Sequence, residues 1–312
     1  MPYPGSATNW SALFSRQQPG GYFVAQDIFA HPNNIWFVSS VSGTDGTGYG
    51  RSPAAPFATL DYAVSHASVT TGDTIVLMPG HAENLAADSD VDVDVSNLHI
   101  IGLGWGGCRP TFTATAIAGD FKLAASCGIL ENVLFLSGID ATTGLLEVSS
   151  SDWTIRNCEF RDSVDQATDM VMVLDGSDRL HLHHCKFTMA AAGGANSAIA
   201  IGSSDDVHIH DCEIYGNFAV GAVDFRTAAS ARANIHDCKI WTENAADIAI
   251  VDTITTSTGW IGPNLYIMLQ DNAANITTAV TGATFHMMDP VYICNLAGEK
   301  AMLSNWTAST HA

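Results

Sequence analysis

The sequence predicts an all-β solenoid of stacked parallel coils, and three observations carry that expectation. First, one phrase recurs: SDWTIRNCEF from Ser151, SDRLHLHHCKF from Ser177, DDVHIHDCEI from Asp205 and ARANIHDCKI from Ala231. Its cysteines, Cys158, Cys185, Cys212 and Cys238, lie 27, 27 and 26 residues apart. An irregular repeat of this length fits coils that bury their apolar faces only by stacking on their neighbours. Second, Leu103 in SNLHIIGLGW, Val133 in GILENVLF and Leu265 in WIGPNLYI align with the cysteines, giving seven rungs at steps of 25 to 30 residues. Third, a second apolar run falls between successive phrases: LLEV at 145, MVMVL at 170, AIAI at 198, AVDF at 222 and IAIV at 248. Each coil therefore has at least two strands.

Composition narrows the class. The 312 residues are 47% hydrophobic and 14% charged, which excludes a disordered chain or a coiled coil. Twelve Lys and Arg face 32 Asp and Glu, a formal net charge of −20. That balance argues against nucleic acid and against an anionic membrane surface as partners. No apolar run reaches 18 residues, so no membrane span is expected. The opening MPYPGSATNWSALFSRQQPGGYF lacks an apolar signal core, so synthesis in the cytoplasm without a signal peptide is expected. The seven cysteines are odd in number and form no CxxC pair, which argues against a zinc knuckle and for buried free thiols.

Residues 1–34 have no period and scatter Tyr3, Trp10, Phe14, Tyr22 and Phe23 among Gly, Pro, Ser, Asn and Gln. They read as an anchoring arm whose aromatics seek burial against a partner or the body. A strand at Ile35 to Val38, a turn-rich loop, helical spacing from Phe57 to Ala67 and the strand of GDTIVLMPG follow. Gly43, Asp45, Pro56, Phe57, Thr59, Leu60, Ala63, Gly72, Asp73, Thr74, Ile75, Pro79 and Gly80 resemble the opening of pectate-lyase-like parallel β-helices. That resemblance implies a right-handed single-stranded parallel β-helix over 35–290, with a short N-terminal helix capping the first coil. Residues 291–312 are expected to form a C-terminal cap or tail over the last coil, whose open edge would otherwise be exposed.

Side-chain directions follow from alternation. Trp153, Ile155, Leu180, Leu182, Val207, Ile209 and Ile235 point inward. The residue before each cysteine-equivalent is Asn132, Asn157, His184, Asp211, Asp237 or Asn264. Mostly Asn or Asp, these suit the left-handed backbone of a sharp bend. Beyond the bend the cysteine points in, as do Phe160, Phe187, Ile214, Ile240 and Ile267. Glu159, Lys186, Glu213 and Lys239 point out, alternating in sign along a ladder where like charges would repel.

Three groups of side chains offer chemistry. His181, His183, His208, His210 and His236 fall at outward positions of consecutive coils, with His183, His210 and His236 in one column and His181 and His208 in the next. H-x-H puts both imidazoles on one strand face, a donor set for a transition metal. It also resembles the HxH metal sites of trimeric phage fibre tips; the alternative is a set of solvent-facing or interface histidines. Tyr215 and Trp241 stand outward in adjacent coils, suited to a sugar ring or a protein partner, or else to packing under a loop or in an oligomer. Asp162, Asp165, Asp169, Asp175, Asp205, Asp206 and Asp224 lie in or near loops, and glycosidases need two carboxyls about 5 to 10 Å apart. No counterpart of the pectate lyases' WiDH or RxPxxR motifs occurs, and no Walker loop, HExxH or GxSxG.

A β-helix with an arm, strong acidity and no catalytic motif resembles the virion structural proteins of tailed phages. The resemblance implies a capsid decoration or head-fibre or spike protein at the virion surface. The arm would hold it to the major capsid or a tail protein, as a homo-oligomer with a trimer favoured, and host-surface glycan would be a further partner. It implies no enzyme and no cofactor beyond a metal at the histidines. The competing expectation is a tailspike-like polysaccharide depolymerase, hydrolase or lyase, on the same scaffold.

Overall fold

Successive coils pair through parallel backbone hydrogen bonds into three sheets that enclose one apolar interior. The computed structural model describes residues 34–303 except 70–71, 140–142, 163–167, 190–194, 244–247, 271–278 and 282–283. Tyr3, Trp10, Phe14, Tyr22 and Phe23, Asp165 and residues 304–312 lie outside the described residues. The first face has ten strands, from Ile35–Val38 to Thr284–Met287. The second has nine parallel strands, from Ala82–Leu85 to Val291–Asn295, and a tenth, Lys300–Leu303, turned back antiparallel at its edge. The third has eight, from Val91–Asp92 to Val280–Thr281. The fold is thus a parallel β-solenoid, compatible with a pectate-lyase-like β-helix. Each coil carries three strands: the recurring phrase supplies two, joined by its bend, and the apolar run between phrases supplies the third. In one coil these are Trp153–Arg156, Glu159–Asp162 and Asp169–Val173.

The bend is where expectation and structure meet most directly. Asn132, Asn157, His184, Asp211, Asp237 and Asn264 all have positive φ, between 51° and 58°. The cysteine after each bend packs inward and its weakly polar thiol faces carbonyl groups. Cys212 Sγ lies 3.2 Å from the His210 carbonyl and 3.8 Å from that of Leu182, one coil below. Cys158, Cys185, Cys212 and Cys238 are free and buried, whereas Cys108 and Cys127 are free and exposed. Leu103 does not belong to this column. A loop inserted at 103–110 delays the bend, and Pro110 takes the position, accepting from Leu134 as Val133 does from Glu159.

Inside, like stacks on like. Phe112, Phe135, Phe160 and Phe187 form one column, the last pair 4.6 Å apart and 5° from parallel. Ile214, Ile240, Ile267 and Ile293 continue it. At the corner before the first face, Ser177, Ser204 and Ser230 each donate to a carbonyl one coil below. Beside them runs a second column of left-handed residues absent from the sequence reading: Asp152, Arg179, Asp206 and Arg232. Its charges pair, Arg179 with Asp152 at 2.6 Å and Arg232 with Asp206 at 2.7 Å.

The first coil is closed by helix α1, Leu60–Val64, which buries Leu60, Ala63 and Val64. It is shorter than its apolar spacing suggests because Phe57 is held in an extended bridge to Val38. Its free N-terminal donors are met from outside: Asp45 accepts from Ala58 and Thr59, and Glu83 accepts from Leu60 at 2.6 Å. Buried Asp73 accepts from Trp36 Nε1 and from the Asn34 and Ser68 backbones, which explains the acid in GDTIVLMPG. Gly43 is needed by sterics, since a Cβ there would lie 2.0 Å from the Phe57 carbonyl oxygen.

Two stability outcomes follow. Phe187→Ala empties a site stacked on Phe160 and should cost about 3–5 kcal/mol in chemical denaturation. Asn157→Ala at φ 56° should cost about 1–2 kcal/mol, and Asn157→Gly less. Equal losses for the two would remove the left-handed bend as the reason for the residue.

Candidate functional site

Two outward surfaces carry the candidate chemistry, one on the first face and one on the second. On the first face, parallel register stacks His181 on His208, and His183 on His210 on His236. Stacking is close to flat: His181 and His208 are 4.8 Å apart at 6°, His183 and His210 4.9 Å at 4°, His210 and His236 5.1 Å at 3°. The columns also meet on the diagonal. His181 Nε2 lies 2.5 Å from His210 Nε2, and His208 Nε2 lies 2.6 Å from His236 Nε2. Ligand atoms of His181, His208 and His210 all fall within 4.8 Å of one another.

The bend residue next to each histidine sets its other ring nitrogen. Asp211 Oδ2 lies 2.7 Å from His210 Nδ1, and Asp237 Oδ2 lies 2.5 Å from His236 Nδ1. Asn264 in turn donates to Asp237 at 2.8 Å. One coil lower, the bend residue is His184, whose Nδ1 lies 2.7 Å from that of His183. Burial, reinforced by neighbouring imidazoles, pushes His183 and His208 down to about 4 and lowers His181. Below the grid, burial works against the Glu131 carboxylate, but hydrogen bonds from His99 and Arg156 outweigh it and hold the carboxyl at about 2. Above it the same sheet continues through Asn234 to Trp260, which lies 5.2 Å from His286.

On the second face, Tyr215 and Trp241 are adjacent in register, edge to face at 5.4 Å. Tyr215 donates to Glu243, and Trp241 Nε1 donates to Gln270. They belong to a larger strip. The neighbouring column runs from Lys239 to Tyr266 and Tyr292, whose rings stack at 5.1 Å and 15°. Trp241, Tyr266 and Tyr292 are 40%, 49% and 39% exposed, unusual for aromatics of that size. With Lys186, Glu213, Lys239 and Lys300 at its rim, the strip forms an apolar trough of about 660 Å³. Tyr266 and Tyr292 stand in the column that carries Glu213 and Lys239 in the coils below, so the charge alternation of that column conceals the aromatic pair in the sequence.

The acids divide. Asp205 and Asp206 meet Arg232, and Asp175 accepts from the Ser203 backbone. Asp162 is buried on the second face. Asp169 and Asp224, on the third face, come together around Arg226, which lies against Asp169 and 3.8 Å from Asp224. Burial pushes Asp224 up to about 6 against the pull of Arg226, with Asp169 and Asp252 adding to the rise.

No family model matches the chain, and searches of curated proteins and of solved structures returned no match. Among the described residues no helix is long and apolar enough to cross a membrane.

The histidine grid gives stability a pH dependence of definite sign. Histidines at about 4 in the fold and near 6.5 unfolded leave the unfolded chain binding more protons between those values. Their contribution is present above about 6.5 and lost as pH falls toward 4. Asp224, raised by folding, acts oppositely between about 4 and 6. Replacing His183 and His208 by Gln should therefore flatten the acid-side loss of stability relative to the parent, measured by denaturant midpoints from pH 4 to 8. A parent-like slope in the double variant would remove the grid as its source.

Proposed function

We propose that this chain is a structural protein displayed on the virion of a tailed phage, a capsid decoration or head-fibre or spike protein. Residues 1–34 would be its attachment to capsid or tail and the solenoid its projecting body, assembled as a homo-oligomer with a trimer favoured. The exposed strip of Tyr215, Trp241, Tyr266 and Tyr292 supports this reading most directly. A partly exposed aromatic strip on one face of the solenoid, with its rings stacked or edge to face and rimmed by Lys and Glu, offers apolar surface and polar ring edges that suit the pyranose rings of a host-surface glycan. The rim carries three Lys to one Glu, with Lys239 paired to Glu213 at 2.8 Å, a small positive excess that suits a neutral or weakly anionic glycan.

A second reading, a glycan-cleaving β-helix, is favoured by one observation. Asp224 is a buried acid at about 6 beside Asp169 and Arg226, the sort of environment that tunes a general acid. Reducing-sugar release that disappears in Asp224→Asn would establish it.

The structural reading predicts that the protein is present in many copies in purified virions and is lost from them when residues 1–34 are deleted. Absence from purified particles would sink it. For the strip, Trp241→Ala with Tyr266→Ala should lower adsorption to host cells or binding on a glycan array by at least about tenfold. Unchanged adsorption would exclude the strip as the binding surface.

A further inference from the structure

We propose that the first face holds a transition-metal ion through the Nε2 atoms of His181 and His210 with His208 as third ligand, a site that Asp211 orients. The three imidazoles come from adjacent coils, so the ion would fasten one coil to the next.

The inference rests on more than a cluster of histidines. A bare imidazole ladder has no preference for which nitrogen faces outward. Here the bend supplies one. Asp211 accepts from His210 Nδ1, so that nitrogen carries the proton and the Nε2 lone pair is free. That lone pair faces His181 Nε2 at 2.5 Å. A carboxylate on the far nitrogen of a ligating histidine is the arrangement that fixes tautomer and raises ligand basicity in metal sites. It arises because the residue after the outward histidine is also the left-handed bend residue, and Asp serves both needs. The next coil repeats the device with His236 and Asp237, against His208.

Two nitrogens on a tetrahedral ion at about 2.0–2.1 Å stand roughly 3.3 Å apart. The diagonal at 2.5 Å therefore has to open by somewhat less than 1 Å, which small side-chain rotations supply at half-buried positions. Imidazole nitrogens select zinc, nickel, cobalt or copper over magnesium or calcium. Three protein ligands leave a fourth position for water or an added ligand. His183 is set apart from this scheme: its neighbour at the bend is His184 and not a carboxylate.

That distinction gives the test. Untagged, full-length protein stripped of metal is titrated with zinc, nickel and cobalt by calorimetry, with the cobalt visible spectrum as an independent report of coordination. The expected result is saturable binding, lost by at least about 100-fold in His181→Gln combined with His208→Gln. Asp211→Asn should weaken it by about 10–100-fold, since it removes the orienting carboxylate and leaves every ligand in place. His183→Gln should stay within about threefold of the parent. Circular dichroism and denaturant midpoints confirm that each variant is folded. No saturable binding of any of the three metals at concentrations up to about 100 micromolar would overturn the site. So would equal weakening by His183→Gln and His181→Gln, or an Asp211→Asn variant that binds as the parent does; either result means adventitious chelation by neighbouring imidazoles.

Discussion

Everything in this molecule depends on the fixed register between one coil and the next. Parallel strands about 4.8 Å apart bring each residue against its own counterpart some 27 positions away. A chain folded this way cannot choose partners freely. It must make each column of equivalent positions tolerable, inside and out. The interior solves this with self-compatible groups: phenylalanines stacked flat, then isoleucines, with cysteines at the bend. The corners use serines whose hydroxyls reach a carbonyl one coil below, and the bends use residues that accept a positive φ.

The surface has the harder version of the problem, since identical charges would repel at that spacing. Two columns solve it by alternation. Glu159, Lys186, Glu213 and Lys239 follow one another on the second face, and Asp152, Arg179, Asp206 and Arg232 at the corner before the first. Neutral aromatic rings solve it differently, by stacking, at Tyr266 and Tyr292. Histidine is a third solution. Buried among their own kind, His183 and His208 stay neutral well below the ordinary imidazole range, so a column of potential cations is not a column of charges. The candidate sites are thus built by the same constraint that builds the scaffold.

Much of this was legible in the sequence because the constraint writes itself as periodicity. The six bend residues, the inward columns, the sign alternation and the two histidine columns all follow from aligning one phrase. What was hidden has physical reasons. The loop at 103–110 displaces Leu103 from its column without leaving a gap in hydrophobicity. The contacts of Asp211 and Asp237 with the histidines depend on how a left-handed bend swings the following carboxylate, which spacing does not reveal. The approach of Asp169 to Arg226 spans two coils and 57 residues, with no local signature.

The alternating charge ladders also fix the grain at which this chain can be lengthened or shortened. In a simple solenoid one coil is the interchangeable unit. Here, excising the coil that carries Arg179 and Lys186 would set Asp152 against Asp206 and Glu159 against Glu213. Excising two coils would restore opposite signs in both columns, with Asp152 against Arg232 and Glu159 against Lys239. Across the four coils of these ladders, removing or adding coils in pairs is the change that keeps opposite signs in register.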